Sequence, residues 1–124
     1  MTPDQIDETI FDLVQRRQHV SFVEIQTRAR KAGIPADGTW AMTLDGYEYI
    51  ILWEGLSDEL YCALKRLIEG RRLWLHLAAP LTYYIDGVVP SLPTCKSPSV
   101  TRDSWLPVVL CTFPHQAARQ AESA

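Results

Sequence analysis

Apolar residues recur at helical spacing in three stretches of the chain. In the first, Ile6, Ile10, Leu13 and Val14 follow an i, i+4, i+7, i+8 pattern. That pattern buries one stripe and leaves Asp7, Glu8, Asp12 and Arg16 in water, with Phe11 at its edge. Thr2 caps this helix, Pro3 takes the first helical position, and Gln5 completes a capping box. A second box at Ser21 and Glu24 opens a helix through Phe22, Ile25, Ala29 and Ala32, which Gly33 closes in the left-handed conformation. Ser57 caps a third helix, with Asp58 and Glu59 in its first turn, Leu60, Leu64, Leu67 and Ile68 on its buried face and Gly70 as its stop.

Elsewhere the period falls to two. Residues 40–44 and 47–53 flank Asp45-Gly46, a dipeptide suited to a type I′ hairpin turn. On the second of these strands Tyr47, Tyr49, Ile51 and Trp53 share one face and Ile50 and Leu52 the other, so both faces are expected to be covered. After Gly70, Leu73, Leu75 and Leu77 alternate with Trp74 and His76. Pro80 interrupts, and residues 81–85 read as a return strand ending at Asp86-Gly87. Residues 90–104, with three prolines and four serines, read as an extended linker. Residues 105–113 are uncharged and apolar and read as a strand that docks back. Residues 116–124 read as a disordered tail. The expectation is one α+β domain over residues 1–115, with three helices and a mostly antiparallel sheet of four to six strands.

This order of elements resembles a winged-helix domain over residues 3–85, most closely at 57–85. The residues that carry the resemblance are Leu67 and Gly70 at the end of the third helix, Arg71 and Leu73 entering a strand, Pro80 at the tip and Tyr83 on the return. Relative to that family, the hairpin at residues 40–53 is an extra insertion between helices two and three. The resemblance implies a non-enzymatic binding module, with double-stranded DNA as a partner held by the helix end and wing. In this chain, however, the third helix leads with Asp58 and Glu59, carboxylates that repel phosphate.

Charge narrows the choice. Twelve Lys and Arg against fifteen Asp and Glu give a net charge of -3, so no global positive field draws the chain to nucleic acid or to an anionic membrane. A local basic face remains, formed by Lys65, Arg66, Arg71 and Arg72 with Trp74 and His76 following; the plainer explanation is a solvated helix end. Arg16, Arg17, Arg28, Arg30 and Lys31 add a second basic face only if their two helices align them. The alternative reading is a protein-interaction or homodimerisation module, because Trp53, Tyr47, Tyr49 and Tyr84 are many large aromatics for so small a sheet.

Catalytic motifs are not legible. The chain has no glycine-rich phosphate loop, no nucleophile elbow and no H-E-x-x-H, so a small enzyme with an unrecognised site is the third reading. Cys111 and His115 have the spacing of half a zinc site, to which Cys95 and either Cys62 or His76 would add ligands. The second close-spaced pair is missing, so neither metal nor cofactor is expected. An odd count of three cysteines, an acidic start without the basic-then-apolar order of a signal peptide, and apolar runs well short of ~20 residues point to a cytoplasmic protein with reduced thiols and no membrane partner.

Overall fold

The computed structural model describes residues 1–114. His115 and the tail expected at 116–124 lie outside the described residues. Helix α1 (Pro3–Arg17) and helix α2 (Phe22–Lys31) both begin with the capping boxes read from the sequence, and α1 buries Ile6, Ile10, Leu13 and Val14. Gly33 takes φ +78°, while the Ile34 amide donates to Ala29 and the Gly33 amide to Arg30. These bonds satisfy the orphan carbonyls at the end of α2.

Strands β1 (Asp37–Leu44) and β2 (Tyr47–Leu56) form the antiparallel hairpin. Its turn is not type I′: Gly46 has φ +82° but Asp45 does not have positive φ, and the pairing register shifts repeatedly along β1. Helix α3 (Asp58–Glu69) starts at Ser57, whose hydroxyl accepts from the Leu60 amide. Its left-handed residue is Arg71, with φ +57°, rather than Gly70. The Arg71 and Arg72 amides then close the helix onto Ile68 and Leu67.

Strand β3 (Trp74–Leu77) follows, and here the structure departs from the sequence reading. Residues 81–85 do not return as a strand; they form helix α4 (Pro80–Asp86). Pro80 sits where a helix tolerates proline, and Gly87, at φ +85°, is a helix stop rather than a hairpin turn. Aromatic and β-branched residues favoured a strand, but the neighbouring position beside β3 is taken by β5 (Val108–Cys111). The returning segment 105–113 is itself divided. β4 (Ser104–Trp105) runs parallel to β2, and β5 runs antiparallel to β3, with Leu106-Pro107 between them.

Among the described residues the fold is therefore α+β with four helices and five strands, in a sheet ordered β1-β2-β4 and a second pair β3-β5. The expected three helices become four, and the single sheet becomes two. β2 is the central strand of its sheet, so Ile50, Ile51, Leu52 and Trp53 are all buried. The linker crosses the surface with an isolated bridge from Thr94 to Trp105. One apolar core draws on α1, α2, α3 and both sheets, and at its centre Trp53 stacks on Tyr83 and Phe22 with Trp105 beside it.

Candidate functional site

The basic residues at the end of α3 are mostly spoken for. Arg66 donates to both carboxylate oxygens of Asp7, its closest contact being 2.8 Å, and so ties α3 to α1. Arg72 reaches Glu8 at 2.8 Å and lies 4.1 Å from the centre of the Phe11 ring. Its hydrogen bond holds the Glu8 carboxyl below the usual carboxylate range, and the same bond raises the Arg72 guanidinium. Lys65 pairs with Glu69 one turn along the helix. Among the described residues only Arg71 of this group makes no ion pair, and it is exposed. A phosphate would have to displace carboxylates from the other three, which weakens the group as an electrostatic footprint.

The residues expected on a wing fare no better. His76, expected to face a ligand beside Trp74, is buried; its Nε2 lies 2.8 Å from the Phe113 carbonyl and its ring packs edge-on against Phe113. Trp74 is half-buried. On the other side of the strand Leu73 is buried, whereas Leu77 is 70% exposed. β5 pairs with β3 along its edge, and among the described residues the side chains that pack on the His76 ring are His19 and Phe113.

The second basic face is partly assembled. Arg17, Arg28 and Lys31 line an open groove of about 270 Å³ between α1 and α2, over Leu13 and Val23, but Glu24 and Asp86 line it too. Arg16 turns back to Asp12 and Arg30 to Asp37.

The four aromatic candidates divide. Trp53 is 3% exposed, and its Nε1 donates to Gln26 Oε1, so it is a core residue and not an interface residue. Tyr47 and Tyr49 are exposed near the tip of the hairpin, and Tyr84 is exposed on α4. The sequence reading missed the surroundings of Tyr84. α4 buries only Tyr83, whose hydroxyl donates to the Val108 carbonyl at 2.7 Å and accepts from the Phe22 amide at 3.2 Å. Asp86 accepts from the Ser21 hydroxyl at 2.7 Å, against the start of α2. With Tyr83 and Asp86 turned inward, Leu81, Tyr84 and Ile85 share the opposite face, and Ile85 is 76% exposed. Leu77 precedes this face, and the exposed Val88 and Val89 follow it.

The signal was present in the sequence as Leu81, Tyr84, Ile85 and Val88, an i, i+3, i+4, i+7 stripe. An apolar stripe is ordinarily read as a buried face, so the direction in which it points could not be inferred. Between Arg72 and Lys96 the chain carries a single formal charge, Asp86.

Of the thiols, Cys62 lies beside Asp58 and Cys95 beside the Ser97 carbonyl. Cys111 is buried 3.5 Å from His19 Nδ1, and burial pushes its thiol up, away from the reactive thiolate. Among the described residues no group of three or more His, Cys, Asp or Glu could hold a metal ion, and no helix is long and apolar enough to cross a membrane. His115, the other half of the considered zinc spacing, lies outside them. No protein-family model, curated protein or solved structure matches the chain.

Proposed function

We propose that this chain is a non-enzymatic, winged-helix-like module that binds protein through the outer face of α4. The winged-helix part rests on the order α1, Val20, α2, α3, β3, β5. Val20 exchanges both backbone hydrogen bonds with Leu110, so Val20 and β3 must lie on opposite sides of β5. On this reading the β1-β2 hairpin is inserted between helices two and three, and α4 and β4 are inserted between the two wing strands.

The observation that carries the binding part is the exposure of Leu81, Tyr84 and Ile85 together on a helix anchored from its other side by Tyr83. Leu77 before them and Val88 and Val89 after them in the chain are exposed as well. Duplex DNA has weaker support, because Arg66, Arg72 and Lys65 already hold carboxylates.

Site-specific photocrosslinking in cells distinguishes the two. A benzophenone side chain in place of Tyr84 is expected to give a discrete protein adduct that Ile85→Asp abolishes. The same group in place of Arg71 is expected to give no nucleic-acid adduct. A nucleic-acid adduct at position 71 with none at 84 would overturn the reading.

A further inference from the structure

We infer that the groove between α1 and α2 binds a small organic anion, a carboxylate or phosphate carried on an apolar body; the inference does not depend on the protein-binding reading of α4. The groove holds about 270 Å³, just under the range that encloses a drug-sized ligand. Leu13 and Val23 supply its apolar part, and both pack into the core, so the fold fixes their position. Three bases, Arg17, Arg28 and Lys31, line it against two acids, Glu24 and Asp86. Three of these five groups already have partners. Arg17 meets Glu24 at 3.2 Å, and Asp86 accepts from the Ser21 hydroxyl at 2.7 Å. Among the described residues Arg28 and Lys31 make no ion pair, so the hydrogen-bond donors left open in the groove are cationic.

The end of α2 does not account for this pair of bases. A helix C-terminus presents roughly half a negative charge, which a single base balances. The last turn of α2 carries Arg28, Arg30 and Lys31, of which Arg30 holds Asp37. Arg28 and Lys31 are three residues apart, hence neighbours on one helix face, and both reach the same groove. A guanidinium grips two oxygens of a carboxylate or phosphate at once, and the ammonium beside it adds a point charge. The rest of the lining selects against a bare polyanion. Glu24 and Asp86 interrupt the positive surface that a nucleic-acid backbone would need, whereas Leu13 and Val23 match a ligand with an apolar part.

Amide NMR titration of the full chain with four probes tests this: naphthoate, naphthyl phosphate, the neutral naphthol and inorganic phosphate. At least one naphthyl anion should bind, with shifts centred on Leu13, Val23 and Arg28, and the tighter of the two identifies the head group. Naphthol and inorganic phosphate should each bind about tenfold more weakly or worse, because each lacks one half of the match. Arg28→Gln with Lys31→Gln should weaken the anion by about tenfold or more and keep a cooperative melt. Thr27→Glu, at an exposed position of the lining, provides a second variant that should weaken the anion and spare naphthol. Arg71→Gln, at an exposed base outside the groove, should change nothing. Equal affinity for either control, shifts that centre on α4 instead, or an anion affinity that the double variant leaves intact would overturn the inference. So would the absence of any shift with both naphthyl anions at millimolar concentration.

Discussion

The hydroxyl of Tyr83 donates a 2.7 Å hydrogen bond to the carbonyl of Val108, joining the single buried side chain of α4 to the first residue of β5. The same oxygen accepts from the Phe22 amide, one of the orphan donors at the start of α2. One phenol thus holds α4, α2 and β5 together in a buried site, and burial raises its pKa far above the ordinary tyrosine value.

Tyr83→Phe keeps the ring stacked on Trp53 but leaves a buried carbonyl and a buried amide without their partner. The expected cost is about 1–3 kcal/mol in urea unfolding. Amide exchange should be faster in α4 than in α1. An unchanged midpoint would mean that water replaces the hydroxyl and that α4 is held by packing alone.

The Glu8 carboxyl sits below its ordinary value near 4.5 because Arg72 donates to it. A depressed folded-state value means that the contribution to stability is fully present above the unfolded value and is lost as pH falls through the folded one. Arg72→Ala should therefore move the Glu8 titration, followed by carboxyl NMR, upward toward 4.5. It should also remove part of the stability lost on the acid side. Both groups are exposed, so the change in the melt should be small.

Arg71 holds a left-handed backbone conformation, with φ +57°, that glycine adopts at lower cost. Arg71→Gly is expected to be neutral or stabilising by up to about 1 kcal/mol in thermal unfolding. A clear loss of stability would show that the side chain makes a contact which offsets its backbone strain.

Duplex binding, measured by fluorescence anisotropy at low salt, should be weak. If instead a steep salt dependence appears, and Arg71→Ala with Arg72→Ala lowers the magnitude of its log-log slope by about two, the basic helix end is the site after all.

A chain ending at Ser104 loses Trp105, Val108, Leu110 and Cys111, all buried, and strips β3 of its partner. Core deletions of this kind cost several kcal/mol each, so the shortened chain should be unfolded or insoluble. A soluble product with an unchanged cooperative melt would mean that β5 contributes little to the core.

The amino-acid sequence by itself determined the features whose physics is local. Thr2 with Gln5, Ser21 with Glu24, and Ser57 specify three helix starts because a cap needs only residues within one turn. The buried stripe of α1 and the two-sided burial of β2 follow from side-chain periodicity, which the chain carries with it. Tertiary structure decided whatever depended on distant partners. Residues 81–85 became a helix because β5, far along the chain, pairs with β3, and because buried acceptors and donors on Val108 and Phe22 fix Tyr83. Trp53 and Tyr84 are both large aromatics in apolar surroundings, yet one is core and the other surface; the difference lies in which elements pack over each. Arg66 and Arg72 looked available beside α3, and α1 supplied Asp7 and Glu8 to neutralise them. Periodicity names a face without saying what covers it, and only long-range packing supplies that cover.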